Sequence, residues 1–411
     1  MSELERLIQE LCPNGVEYNA LAEVCEIRSG WGFPNIEQGK TTGEYPFFKV
    51  SDMNLAGNEM VMISAQNYID EATVKRLRCN PAPAGTIIFP KIGAAIATNK
   101  KRILSQDSCY DNNVMGLIPG NQILSRFLFY IFSGITLISF ADYSGAMPSI
   151  RKTTLEKYKI PVPPIEVQRE IVRILDNFTE LTAELKEKLL AELTARKEQY
   201  EYYRDELFSI DNCELLQIKD IAATNIGLAT SVTKHKVDNG VLLLHNSDIQ
   251  QNRIVLKQYE YISEEFAQKN AKKILQRKDI ITVHTGDVGT SAVIDDPYIG
   301  AIGFTTITTR INDTTKIIPE YLCHYLNSHR CKVDIASMTI SDRSNLNQSS
   351  YEKLFVPVPS IEEQKRIVET LDRFDALCND ISAGLPAEIE ARQKQYEYYR
   401  DKLLTFKELR E

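Results

Sequence analysis

From Ile171 onward, apolar residues recur at steps of three or four: Ile171, Leu175, Phe178, Leu181, Leu185, Leu189, Leu193, Tyr200, Tyr203 and Leu207. Arg196 continues the stripe, and Glu, Lys, Arg and Asp occupy the other faces. That period predicts one long amphipathic helix. A second stripe runs through Ile367, Leu371, Phe374, Leu377, Ile381, Leu385, Ile389, Tyr396, Tyr399 and Leu403. Each stripe follows a Val-Pro stretch that cannot be helical, so the proline strings are expected to end a strand and precede the helix. In the second stripe Gly384-Leu385-Pro386 should kink or split the helix, because proline lacks an amide and its ring clashes with the preceding turn. A helix of about 40 residues spans about 60 Å, and with one apolar stripe it needs a partner. Two alike in one chain supply it as an antiparallel coiled-coil-like pair; the other arrangement is each helix packed on its own neighbouring domain.

Elsewhere the pattern shortens to β-rich runs such as Ile87-Ile-Phe, Val241-Leu-Leu-Leu-His and Ile280-Ile-Thr-Val-His, set between Gly, Asn, Asp and Pro turns. Helical patches are expected at Ser125–Phe132 and Pro319–Leu326. The chain therefore reads as α+β: residues 1–157 and 209–353 each hold a globule, the first with a short N-terminal helix, and 158–208 and 354–411 are helical regions.

This alternation is a duplication. Pro161-Val-Pro-Pro-Ile-Glu-Val-Gln recurs 196 residues later as Pro357-Val-Pro-Ser-Ile-Glu-Glu-Gln, and Gln199-Tyr-Glu-Tyr-Tyr-Arg-Asp recurs as Gln395-Tyr-Glu-Tyr-Tyr-Arg-Asp. Residues 161–207 and 357–403 align without a gap at 25 identities in 47 positions, too many for two unrelated helices of biased composition. Outside them the match is faint: Val50-Ser-Asp-Met falls on Asn246-Ser-Asp-Ile.

Composition narrows the class. With 43% hydrophobic and 25% charged residues in 411, the chain is long enough for more than one domain and is neither collagen-like nor wholly disordered. No run approaches a membrane span. The start, Met1-Ser-Glu-Leu-Glu-Arg, is acidic and amphipathic and not a secretory leader, so a cytoplasmic protein is expected. Eight cysteines without a Cys-x-x-Cys pair predict reduced thiols. The net charge of −8 at first argues against a nucleic-acid partner. Its distribution changes that: 1–157 and 209–353 carry −1 each, and 158–208 and 354–411 carry −3 each. Near-neutral globules leave room for a basic face.

Catalytic signatures are missing. There is no Gly-x-x-x-x-Gly-Lys-Ser/Thr loop for a nucleotide, and Gly286-Asp-Val-Gly289 is a turn and not a dinucleotide fingerprint. Asn80-Pro-Ala-Pro lacks the second proline and aromatic of an amino-methyltransferase tetrapeptide. Asp295-Asp296-Pro297 reads as a strand-ending turn. Cys323, His324, His329 and Cys331 stand at steps that do not bring four ligands together, so buried thiols and surface imidazoles are expected. No hydrolase triad stands out.

At the paired Pro-Val-Pro-x-Ile-x-x-Gln and Gln-Tyr-Glu-Tyr-Tyr-Arg-Asp segments the sequence resembles the DNA-specificity subunit of Type I restriction-modification systems, and Ile171–Leu185 and Glu388–Asp401 are similar to its IC group. The resemblance covers the whole chain in its order of parts. It implies a non-catalytic subunit that reads a split DNA site, two modification subunits that methylate adenine, and restriction subunits that translocate and cut. S-adenosylmethionine, ATP and Mg are then expected on those partners, with no cofactor or metal on this chain. A protein-binding scaffold without direct DNA readout is the alternative. The blocks Thr182-Ala-Glu-Leu, Lys186-Glu-Lys-Leu and Leu190-Ala-Glu-Leu resemble the group's spacer repeats; each adds about 6 Å of helix against about 3.4 Å per base pair, so block number is expected to tune an unread gap.

Two dissimilar globules on a duplicated framework suit an asymmetric two-part site. Candidate DNA contacts in the first are Arg28, Trp31, Lys49, Ser51, Lys91, Asn99, Lys100, Lys101, Asn112, Asn113 and Arg151. In the second they are Lys234, Lys236, His245, Asn246, Arg253, His284, Arg343, Asn345 and Asn347. Lys and Arg suit phosphates; Asn and Arg also pair with base edges. Trp31 serves equally well as a core residue. The tyrosines Tyr200, Tyr202, Tyr203, Tyr396, Tyr398 and Tyr399 cannot all face a partner helix, because they stand at successive helical angles; docking onto modification subunits is the preferred account.

Overall fold

Pro161 closes a short strand, Lys159–Pro161, and the helix begins four residues later, so the proline string separates strand from helix as the pattern predicts. The computed structural model describes residues 2–210, 213–338, 345–379 and 384–409. The chain packs as two units: residues 1–187 with 390–411, and 188–389. Each contains one globule and a part of each helical region, so packing units and sequence segments do not coincide.

In the first unit, α1 (Glu3–Leu11) starts at Ser2, whose side chain accepts the Glu5 amide while the Glu5 carboxylate accepts the Ser2 amide. A five-stranded sheet follows, with β1 (Cys25–Ser29), β3 (Ile87–Pro90) and β4 (Val114–Pro119) adjacent in the order β1-β4-β3, extended by Arg102–Leu104 and Val61–Met62. A second sheet centres on β2 (Tyr45–Phe48), antiparallel to Tyr68–Ile69 and parallel to Cys109–Tyr110. α2 (Ser125–Ser133) buries Phe127, Leu128, Tyr130 and Phe132 in the main core. α3 (Ile165–Phe208) begins by burying Val167, Ile171 and Leu175 in that same core.

The second unit repeats this plan. β5 (Ala222–Ile226), β7 (Ile280–Val283) and β8 (Thr306–Ile311) adjoin in the order β5-β8-β7, and β6 (Val241–His245) centres the other sheet, antiparallel to Tyr261–Ile262 and parallel to Ile302–Phe304. α4 (Pro319–Leu326) matches α2, and α5 (Ile361–Asn379) buries Ile367 and Leu371 as α3 buries Ile171 and Leu175. Equivalent glycines sit where strands cross: a Cβ on Gly30 would lie 2.1 Å from Asp111 O, and one on Gly227 2.3 Å from Gly303 O, so no side chain fits at either.

α6 (Leu385–Leu403) is separate from α5, with Pro386 in its first turn, where a missing amide costs nothing; Ile381 lies outside the described residues. Within the first unit, Phe178 stacks on Tyr399 at 6.0 Å and the Thr179 hydroxyl lies 3.0 Å from that of Tyr396, so α3 and α6 run antiparallel. Within the second, Tyr200 and Tyr203 of α3 stack on Phe374 of α5 at 6.3 and 5.7 Å. The two arrangements left open by the sequence therefore coexist: each stripe starts on its own globule and continues against another helix. It is not buried throughout, since Phe178, Leu181 and Leu185 remain exposed. Among the described residues no helix is long and apolar enough to cross a membrane.

Candidate nucleic-acid interface

Three loops meet at the ends of β2 and β3 in the first unit, and three at the ends of β6 and β7 in the second. The first loop leaves β2 at Lys49, whose amide donates to the buried Asp52 carboxylate at 2.6 Å; His245 does the same with Asp248 at 2.9 Å. This cap explains the shared aspartate, Asp52 and Asp248, in the otherwise divergent sequences. Burial raises the Asp52 pKa, and the bonds from the Lys49 and Gln66 amides oppose it.

The second loop is Lys91-Ile92-Gly93, matched by His284-Thr285-Gly286, with both glycines at positive φ. The third loop joins it by backbone: Ile150 N–H donates to Lys91 O at 2.8 Å, and Leu346 N–H to His284 O at 2.9 Å. Ser149 bridges Ile92 as Asn345 bridges Thr285. Asn246 Nδ2 donates to Thr285 O at 2.6 Å, which ties the first loop to the second. Around Lys91 lie the Asn113 carbonyl, accepting its amide at 2.8 Å, and the Ser29 hydroxyl, 3.0 Å from its ammonium. Burial lowers the Lys91 pKa, against the pull of Asp111.

The structure thus brings together Lys49, Ser51, Lys91, Asn113 and Arg151 in one unit, and His245, Asn246, His284, Asn345 and Asn347 in the other. Asn112, Asn113, Ser51, Arg151 and Asn347 are exposed, and the others half-buried. Trp31 is also half-buried beside them, bridging Asp111 and tilted against Tyr110 at 5.7 Å. Lys236 is exposed and shares Glu260 with His245; the hydrogen bonds from the Lys236 ammonium and the His245 ring hold the Glu260 carboxyl below its ordinary range. Lys234 is exposed. Arg343 lies outside the described residues.

Other candidates take structural roles. Lys101 is 4% exposed, its ammonium held by Asn99 Oδ1 and Ile135 O, so it cannot reach a DNA strand. Asn99 adopts a left-handed backbone at a helix end and its Oδ1 also accepts the Leu137 amide. Lys100 is bonded to Asn54, and Arg28 to Glu26 and the Asn80 carbonyl. Arg253 sits on the Ile249–Ile254 hairpin, beside Lys197 and Glu201 of α3.

Tyr200 is buried, its hydroxyl accepting from Asn252 at 3.0 Å, which removes it from any docking surface. Tyr203 and Tyr399 are engaged on Phe374 and Phe178, and Tyr396 on Thr179. Tyr202 and Tyr398, equivalent in the repeat, are each 62% exposed. His324, expected at the surface, is buried, with Nε2 2.8 Å from Asp372 Oδ1. Cys323 and Cys331 are buried, and among the described residues no group of three or more His, Cys, Asp or Glu could hold a metal.

Two α+β globules, each built on the same strands and each followed by a long helix, define a duplicated recognition protein. A family model described as Type I restriction modification DNA specificity domain matches residues 13–195 and again 210–391. The chain belongs to that family: it is a DNA-recognition subunit of a type I restriction-modification system, and the scaffold alternative is not favoured. The specificity subunit of the Escherichia coli type I restriction enzyme EcoR124I/EcoR124II is 35% identical over 304 residues, covering 70% of this chain and 72% of that one. A Haemophilus influenzae protein bearing the name of a type I specificity subunit is 28% identical over 419 aligned positions, with 98% of each covered. Among solved structures, one from a study of assembly and conformational transition of the type I system aligns at TM-score 0.68 and 15% identity, covering 96% of this chain and 98% of that chain. The HsdS subunit of Thermoanaerobacter tengcongensis aligns at 0.53 and 16%, covering 96% and 97%. At those identities the likeness concerns the fold.

Proposed function

We propose that the chain reads an asymmetric, two-part DNA site, one part with each globule, and that it does so without chemistry of its own. The observation that carries this is the loop cluster built twice on one framework but furnished differently: Lys49 against His245, Val50 against Asn246, Lys91 against His284, Arg151 against Asn347. A common scaffold with different donors and acceptors suits two different base sequences. Lysines and Arg151 would meet phosphates, while Asn246, His284 and Asn347 offer groups for base edges.

In this reading two modification subunits dock on the helices through the exposed Tyr202 and Tyr398 and methylate adenine, with S-adenosylmethionine on those subunits and ATP and Mg on restriction subunits, all in the cytoplasm. The test is methylation mapping in a host that expresses this chain with its modification subunit. The expected result is a two-part, non-palindromic motif with a fixed gap. A palindromic or uninterrupted motif overturns the two-globule reading.

A further inference from the structure

A small hairpin stands beside the first unit's loop cluster, with Ala141–Asp142 paired to Ser149–Ile150. Its base is braced. Gly93 N–H donates to Pro148 O and Ile150 N–H to Lys91 O, both at 2.8 Å, and Arg151 ion-pairs with Asp142. The turn is closed by the Ser144 amide, which donates to Asp142 Oδ1 at 2.9 Å. Beyond that base the tip, Tyr143-Ser-Gly-Ala-Met147, is exposed at every residue, with Tyr143 64% and Met147 63% exposed. Neither side chain joins the hydrophobic cores of its unit.

Single exposed apolar residues are common on protein surfaces, so exposure alone decides nothing. The setting does. The two largest apolar side chains of the tip project from a ribbon bonded directly to Lys91 and flanked by the exposed Arg151 and Lys152. A two-stranded ribbon is narrow enough to enter a DNA groove. Apolar side chains inserted between base steps, as in minor-groove architectural proteins, act as wedges that part the step and kink the duplex. A protein partner would ask instead for a broader apolar patch, whereas Ser144 and Gly145 separate the two side chains here.

We infer that the 143–147 tip enters the duplex at the first half-site and that Met147, with Tyr143, wedges open a base step there. Part of that half-site is then read through the ease with which the step deforms. The inference rests on the proposed DNA reading and concerns the first globule; the matching stretch of the second includes residues outside those described.

The experiment uses the full chain with its modification subunit and duplexes carrying the mapped motif, with 2-aminopurine placed in turn at each first-half position other than the methylated adenine. One position is expected to brighten on binding. Tyr143→Ser with Met147→Ser should abolish that signal and weaken binding about ten-fold, while Met147→Leu, which keeps an apolar wedge, should retain it. No brightening in the wild type overturns the wedge, as does a double variant that binds and brightens unchanged or that loses only the modification subunit. Absence of any motif-specific binding by the wild-type complex would instead refute the DNA reading beneath it.

Discussion

Gln168 and Gln364, one repeat apart, make the same three hydrogen bonds. Gln168 Oε1 accepts the Leu124 amide at 2.8 Å, and its Nε2 donates to Gln122 O at 2.9 Å and Pro163 O at 2.8 Å. Gln364 Oε1 accepts the Ile318 amide at 2.9 Å, and its Nε2 donates to Lys316 O at 2.8 Å and Pro359 O at 2.9 Å. Both side chains are fully buried. Each fastens the first turn of a long helix to the loop that starts the globule's buried helix, which is why the repeated Pro-Val-Pro motif ends in glutamine.

Gln168→Ala should therefore leave an amide and two carbonyls without their partner, and a loss of about 2–5 kcal/mol is expected in urea unfolding of the first unit. Gln364→Ala should act alike on the second. Wild-type stability in both variants would contradict the fastening role.

The buried helices are tied a second time, with different chemistry. Tyr130 donates its hydroxyl to Asp176 at 2.6 Å, and the matching pair in the second unit is His324 with Asp372 at 2.8 Å. Burial and the neighbouring carboxylate push the Tyr130 pKa up, so it stays a donor across the ordinary pH range. Tyr130→Phe keeps the ring packing and removes a hydrogen bond to a charged group; a loss of about 1–3 kcal/mol is expected, measured by the same denaturant series.

Lys101 gives the first unit a pH signature. Burial, reinforced by Arg400, lowers its pKa to about 8, whereas an unfolded lysine titrates near about 10.4. Between those values the unfolded chain keeps a proton that the folded chain has shed, so stability from this group rises with pH, by at most about 3 kcal/mol. Below pH 8 both states are charged and the desolvation penalty is complete. The difference in unfolding free energy between wild type and Lys101→Met should climb from pH 8 to pH 10; a flat difference would dismiss the buried-cation account.

On the helices, Tyr202→Ala with Tyr398→Ala should weaken assembly with modification subunits while leaving the circular dichroism of the chain unchanged, because both rings are exposed. An unchanged complex on a sizing column would remove these tyrosines from the interface.

In the loop clusters, Lys91→Gln should reduce DNA affinity and lower the salt slope by about one. His284→Ala should relax discrimination at the second half-site alone, by about 1–3 kcal/mol at the position it reads. Methylation mapping and salt-dependent binding separate the two effects, and a change in the wrong half would break the assignment of globules to half-sites.

Periodicity and repetition determined much of this protein without coordinates. The apolar stripe, the proline stops, the matched helices at Ser125 and Pro319 and the duplication were all legible, because they depend on local backbone geometry and on residues close in sequence. The recognition loops were legible only as a scatter of polar residues. Lys91 and Ile150, or Asn246 and Thr285, meet only after strands far apart in sequence pair, and that pairing separated Lys91 at the cluster from Lys101 in the core. Tertiary structure likewise buried Tyr200 and left Tyr202 exposed, although both belong to one repeated motif: neighbours on a helix point about 100° apart, and only the surface packed against the helix decides which of them is covered.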